Sequence, residues 1–232
     1  MQPFIRARLI EVTEIAPEVR HFVFDVPGVE HLAFRPGQFV SLTETLHGKP
    51  ITRAYSIASA PDGNRFELCL NRVQEGIFSP YLFELNPGDT VNMQPPLGGF
   101  VLRESGRDVI LVATGTGIAP FRSILLAHLT ADPRHFTLIF GVRYEHTLMY
   151  RVDFERLERD HPNFRFWPTL SRPDSRWTGR TGHVQPHLLE AIGERRDLDV
   201  YVCGLKAMVD DVRVLLKKMG FDRKQIIYEK YD

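Results

Sequence analysis

Arg53-Ala54-Tyr55-Ser56 sets a cation, an aromatic ring and a hydroxyl within four consecutive positions. On an extended strand, the arginine can pair with a phosphate, the ring can stack on a flat aromatic cofactor, and the serine can hydrogen-bond a ring nitrogen. Much later, Thr114-Gly115-Thr116-Gly117-Ile118-Ala119-Pro120 closes an apolar run and opens a helical one. Its glycines let the backbone turn sharply and let a phosphate approach the amides. Pro120 can take the first helical position without losing a needed donor, and a helix start offers free N–H groups and partial positive charge to an anion. A strand that can hold a flat ring and a turn that can hold a pyrophosphate imply two bound nucleotides with electron transfer between them. Each segment also has a plainer use, since exposed strands carry Arg and Tyr for packing and any tight strand-to-helix turn favours glycine.

Weaker candidates surround these two. Gly76-Ile77-Phe78-Ser79 places a glycine and then a serine at the start of a short helix, either a second phosphate cradle or ordinary capping by Ser79. Cys203-Gly204 directly follows an apolar strand, which puts Cys203 at the carboxyl edge where open α/β sheets bind ligands. A buried cysteine acting as a small hydrophobe is the alternative, and it is the reading given to Cys69. His183 and His187 have helical metal-ligand spacing, but Pro186 lies between them and they read as surface histidines. After Phe140, Gly141-Val142-Arg143 lacks the acid that closes the second strand of a dinucleotide fingerprint.

The elements that must position these residues fall into two halves. From Phe4 to about Val101, short alternating runs such as Arg8–Val12, His21–Val26 and Phe66–Leu70 are separated by Pro27-Gly28, Pro36-Gly37, Asp62-Gly63 and Pro87-Gly88. That rhythm predicts an antiparallel barrel or sandwich, with one short helix over Ser79–Leu85. After Phe100, the continuous apolar run Asp108–Ala113 reads as a strand buried on both faces. Helical spacing over 120–129 is followed by strand 136–140, helix 150–159, strand 164–170, helix 184–192, a final core strand 199–203 and helix 208–219. The last carries Met208, Val212, Leu215 and Met219 on one face. This alternation predicts a doubly wound parallel sheet. The boundary is expected near Arg103–Arg107, giving domains 1–103 and 104–232.

Bulk properties narrow the functional classes. Lys and Arg total 29, balanced by 29 Asp and Glu, so no overall field favours nucleic acid or an anionic membrane. Met1-Gln2-Pro3-Phe4-Ile5-Arg6 starts no apolar leader, and no run is long enough to span a bilayer. With two cysteines, neither a disulfide framework nor a four-thiolate cluster is available, and a cytoplasmic location is expected. A monomer is expected.

Taken in order along nearly the whole chain, these residues resemble the ferredoxin–NADP reductase family. The resemblance implies a two-domain fold, an antiparallel β-barrel FAD-binding domain followed by an α/β doubly wound parallel-sheet nucleotide-binding domain. Arg53, Tyr55 and Ser56, with Ala54 between, match the family's arginine–x–tyrosine–serine stretch. Cys69-Leu70-Asn71 looks like its second FAD strand, and Gly76-Ile77-Phe78-Ser79 like its phosphate turn. The family's glycine–threonine–glycine–isoleucine–alanine–proline turn is present intact, so that its first part would face NADP and Thr116 would touch the flavin; Thr114, Gly115, Gly117 and Pro120 are the cofactor-binding candidates here. Cys203-Gly204 would lie beside the nicotinamide, and Glu229-Lys230-Tyr231 matches the family's C-terminal glutamate–x–tyrosine. Plant-type members end on the aromatic residue, whereas Asp232 follows here.

Ser171-Arg172 corresponds to the place where bacterial NADP-using relatives hold the 2′-phosphate, with Arg143 and Arg180 as added charge. NADP(H) is therefore the expected coenzyme, with NAD an open alternative. The implied reaction is hydride transfer between the nicotinamide and FAD, with single electrons passed to a separate carrier such as ferredoxin or flavodoxin. Ser56 would hydrogen-bond the nitrogen that receives the hydride. Cys203 and Glu229 would position the nicotinamide, and Tyr231 would move aside. The reductase component of an oxygenase, a free-flavin reductase and a non-enzymatic flavin-binding redox subunit remain as alternatives.

Overall fold

Strand β1 (Ile5–Ala16) exposes Arg6 and Arg8 in alternation with the buried Ala7 and Leu9, the period of two expected of a sheet with one dry face. It pairs antiparallel with β2 (Val19–Asp25) and with β6 (Thr90–Met93), while β3 (Phe39–Leu46) pairs with β4 (Lys49–Ser56) and β2 with β5 (Arg65–Asn71). The resulting order is β4-β3-β6-β1-β2-β5. Just beyond β4, Ile57 bridges Leu68 and the Ala58 N–H donates to Glu67 O at 2.7 Å, so the two ends of the order meet and the sheet closes. Phe22, Phe24 and Phe66 fill the interior, with the last two rings 5.3 Å apart, and helix α1 (Phe78–Phe83) adds Phe78, Leu82 and Phe83. Sequence patterning misses β3 because the buried Thr43 interrupts its apolar positions; Thr43 Oγ1 is hydrogen-bonded to Thr52 Oγ1 at 2.7 Å.

The second sheet is parallel throughout. It contains β7 (Asp108–Thr114), β8 (Phe136–Val142), β9 (Phe164–Leu170), β10 (Arg180–Thr181), β11 (Leu198–Leu205) and β12 (Ile226–Tyr231), in the order β10-β9-β8-β7-β11-β12. Helices α2 (Ala119–His128), α3 (Arg151–Asp160), α4 (Val184–Ile192) and α5 (Lys206–Lys218) alternate with the strands. From β7 the chain moves outward through β8 and β9, then returns to place β11 on the other side of β7. The β7–β11 junction is therefore the topological switch point, where connections diverge and leave a crevice at the carboxyl ends.

Other details also differ from the sequence expectations. Asp199–Cys203 is not the last strand, because β12 follows it on the edge. On α5, Val209 and Leu216 join Met208 and Val212 as the buried stripe, while Leu215 and Met219 only flank it.

The structure, a computed structural model, describes residues 4–231, in two compact units. One runs to Leu102 and takes in Arg122–Ala127; the other holds Arg103–Phe121 and the chain from His128 onward. The first residues of the chain and Asp232, on which the readings of the leader and of the extra terminal acid depend, lie outside the described residues. Among the described residues, no helix is long and apolar enough to cross a membrane.

Candidate functional site

In the first unit, β4 carries the cation, ring and hydroxyl to the end of the sheet order. Pairing sets Arg53 opposite Leu42, Tyr55 opposite Val40 and Ser56 opposite Phe39. Arg53 is exposed and donates through Nη1 to Thr52 O at 2.8 Å, and Ala54 is exposed beside it. Tyr55 packs partly into the barrel core, its ring stacked on Phe78 with centroids 6.3 Å apart and planes 29° apart. Burial pushes the Tyr55 phenol pKa upward, partly offset by Arg53, so the hydroxyl stays protonated at any ordinary pH. Ser56 is buried. On β5, Cys69 and Leu70 are buried in the wall, and the exposed Asn71 ends the strand.

The Gly76 segment is closed by its own loop bonds. The Gly76 N–H is used in a turn, donating to Val73 O at 2.9 Å. Ser79 does not cap α1; Ile77 stands at the cap with no side-chain bond, and Ser79 Oγ accepts from the Val73 N–H at 2.9 Å. Ser79 thus closes the loop onto the helix. The amides of Ile77, Phe78 and Ser79 precede the first helical bond, from the Tyr81 N–H to Ile77 O, and remain the donors an anion would meet.

The unit also holds a charged cluster that sequence spacing did not reveal. Arg122 Nη1 donates to Glu67 Oε2 at 2.6 Å and to Ala58 O at 2.9 Å, and Ser123 Oγ donates to Ser59 O at 2.5 Å. These partners are more than fifty positions apart in the chain, so only folding brings them together.

In the second unit, β7 ends in a 3-10 turn, Gly115–Ile118, that runs directly into α2. Pro120 is consequently the second residue of α2, and the exposed donors belong to the 3-10 turn. A side chain on Gly115 would meet nothing within 4 Å, leaving one side of the turn open to a ligand. Gly117 faces the other way: a Cβ there would stand 2.4 Å from Cys203 O and 2.6 Å from Gly204 Cα. Thr114 Oγ1 accepts from the Leu205 N–H at 3.3 Å, a tie between the ends of β7 and β11.

Parallel register then aligns three strands at this edge. Cys203 stands beside Ala113 on β7 and beside Glu229 on β12, and Gly204 beside Lys230. Burial, with Glu229 nearby, pushes the Cys203 thiol well above its ordinary pKa, while a hydrogen bond from the Tyr231 side chain opposes the shift. The cysteine is therefore a neutral thiol. The expected trio of Cys203, Glu229 and Tyr231 is brought together against the glycine turn.

Farther along the same edge, the Ser171 N–H donates to Val142 O at 3.0 Å and the Arg172 N–H to Arg143 O at 2.9 Å. These bonds prolong the β8–β9 ladder and gather Arg143, Ser171 and Arg172. Arg180, expected as added positive charge, is instead engaged. Its Nη1 and Nη2 donate to Glu190 at 2.5 and 2.8 Å, and its guanidinium lies over the Trp167 ring at 3.8 Å. His187 is not a loose surface histidine: its Nε2 lies 3.0 Å from Thr169 Oγ1. Arg180 borders a cleft of about 420 Å³ whose other walls include Arg151, Trp167, Arg176 and Trp177. Aromatic faces and guanidinium groups at the carboxyl edge suit a phosphorylated nucleotide.

Comparison with known proteins agrees with both halves. Residues 6–102 match the model of an oxidoreductase FAD-binding domain, and residues 111–214 that of an oxidoreductase NAD-binding domain. The chain is 40% identical to ferredoxin–NADP reductase B of Sorangium cellulosum, over 100% of this chain and 98% of that protein. It is 33% identical to the toluate 1,2-dioxygenase electron transfer component of Pseudomonas putida, over 88% of this chain and 60% of that protein. A ferredoxin NADP+ reductase from Neisseria gonorrhoeae, solved with bound FAD and NADP, superposes with a TM-score of 0.86 at 26% identity, covering 98% of each chain.

Proposed function

From its membership of the ferredoxin–NADP reductase family of FAD- and NAD(P)-binding flavoenzymes, we propose that this chain moves electrons between NADP(H) and a separate one-electron carrier such as ferredoxin or flavodoxin. Residues 1–103 serve as the FAD-binding domain and 104–232 as the NAD(P)-binding domain. Bound FAD would supply hydride exchange with the nicotinamide and release of electrons one at a time. The chain's own residues supply binding and orientation. Tyr55, steadied by Phe78, offers a ring face with its hydroxyl protonated. Arg53 and the amides at the start of α1 offer charge and donors to phosphate. Ser56 would hydrogen-bond the reacting ring nitrogen, and Thr116 would touch the flavin.

One observation carries the reading of the second half. The β11–β12 register sets Cys203 opposite Glu229, and the Tyr231 side chain is bonded to Cys203, while Gly117 closes on the same Cys203 carbonyl. A coenzyme pyrophosphate on the open Gly115 side of the turn places its far end beside a neutral thiol and a carboxylate. Those two can orient a carboxamide and hold a proton without reacting with it. Tyr231 must leave Cys203 before a ring occupies that position, so it acts as a gate.

The 40% relative is named a ferredoxin–NADP reductase and is spanned almost completely, which favours that activity over an oxygenase reductase component. The dioxygenase component is spanned over only 60% of its length. The test is anaerobic reduction of the purified yellow protein by NADPH and by NADH, followed by addition of oxidised ferredoxin or flavodoxin. Bleaching by NADPH and recovery of colour on adding either carrier supports the proposal. Bleaching by NADH alone, or bleached protein that neither carrier reoxidises, overturns it.

A further inference from the structure

The Arg180 guanidinium is the most elaborately held cation on the carboxyl edge of the second sheet. It is placed by β10, whose register sets it beside Thr169, two positions from Ser171. Trp167 supports one face of the guanidinium at 3.8 Å, and Glu190 on α4 occupies both arms of its fork at 2.5 and 2.8 Å. The Trp177 indole N–H donates to Arg180 O at 2.8 Å and fixes the backbone behind it. The supports are unequal in permanence. Trp167 and Trp177 are packed, whereas the Glu190 side chain is 54% exposed and belongs to a different element.

We propose that Glu190 is a specificity-determining residue that competes with the coenzyme's 2′-phosphate for the Arg180 fork, and so lowers this enzyme's preference for NADP(H) over NAD(H). The inference rests on the reading of this edge as the adenosine end of the coenzyme site. The Nη1/Nη2 pair of a guanidinium accepts a carboxylate or a phosphate with the same bidentate geometry, but not both at once. A phosphate that takes this pair on Arg180 must therefore displace Glu190, which then stands close to it as a like charge. A coenzyme without the 2′-phosphate leaves the pair intact. Glu190 touches no part of the substrate in this scheme; it is a positioning residue acting through Arg180.

The exposed pair is screened by water, so the cost of opening it is modest, about a fivefold factor in affinity at most. The test is calorimetric titration of the full-length protein with adenosine 2′,5′-bisphosphate and with 5′-AMP, in wild type, Glu190→Gln, and Arg180→Lys with and without Glu190→Gln. The expected result is that wild type binds the bisphosphate more tightly. Glu190→Gln tightens it by a further factor of about five while leaving 5′-AMP unchanged, and Arg180→Lys erases that gain. A gain that is absent, shared by 5′-AMP or retained with Lys at 180 overturns the role of Glu190 and leaves the NADP reading standing. Equal binding of the two probes by wild type overturns the NADP reading, and the role of Glu190 with it.

Discussion

Two glycine turns precede two helices in this molecule, and they are built on different physics. The Gly76 turn lies in a loop, uses its own amide to close on Val73, and leads into a helix of six residues. Its glycine faces Val73, whose Cβ and backbone O would lie 3.0 and 3.1 Å from an added methyl group, tight contacts in a stretch of exposed chain. The Gly117 turn terminates a buried strand and is pressed onto the backbone of a second one, Cys203-Gly204. The approach at Gly117 is far closer, and the strand it meets is held between two neighbours in its sheet. The first turn is therefore adaptable, and the second is a fixed part of the β7–β11 switch point. A glycine's importance lies in what it faces, more than in the residues that flank it.

The largest effect is expected where the comparison is sharpest. Gly117→Ala should cost about 3 kcal/mol or more through overpacking against backbone. Urea unfolding followed by tryptophan fluorescence reads it directly, because Trp167 and Trp177 both lie in the second unit. An unchanged midpoint would show the switch point to be as pliable as the loop.

Next comes the ring-binding half. Ser56→Ala should slow anaerobic flavin reduction by NADPH on the order of tenfold to a hundredfold, with FAD retained, since the proposed hydrogen bond to the reacting ring would be lost. Stopped-flow bleaching at the wild-type rate would remove Ser56 from the mechanism.

A smaller effect concerns Cys203. Its pKa in the folded protein is raised by burial and Glu229, so its contribution to stability is fully present below the ordinary thiol value of 9.0 and declines as pH rises beyond it. Wild type should lose stability as pH rises above about 9, and Cys203→Ala should flatten that decline. Identical alkaline slopes in urea unfolding would mean the thiol is not held neutral by the fold.

The smallest effect is reserved for the loop. Gly76→Ala should change stability by less than about 1 kcal/mol, because crowding by Val73 is offset by a less flexible unfolded chain. The temperature at which FAD fluorescence is released measures it, and a large drop would make this turn as rigid as its counterpart.

Much of this site is legible without coordinates because it depends on local chemistry. Arg53, Tyr55 and Ser56 stand out by type and spacing, and the run from Thr114 to Pro120 by its glycines. Local patterning fails where partners are distant or pattern is mixed. The strand β12 reads Ile-Ile-Tyr-Glu-Lys-Tyr, and its alternation is masked because it lies on a sheet edge. Ser79 looks like a helix cap, yet its hydroxyl is used by Val73, six residues earlier. Arg180 looks like a free phosphate ligand, yet a carboxylate ten residues later already fills its fork.

Alternating and continuous apolar runs, together with punctuating Pro-Gly turns, were sufficient to determine a barrel followed by a parallel sheet, because burial on one face or two dictates period. They also placed a glycine turn after β7. Only tertiary structure decided that Cys203 lies opposite Glu229, that Gly117 closes on Cys203, and that Arg122 reaches Glu67. Register and strand order arise from packing whole faces against each other, and a linear pattern does not encode which of several compatible neighbours a strand will meet.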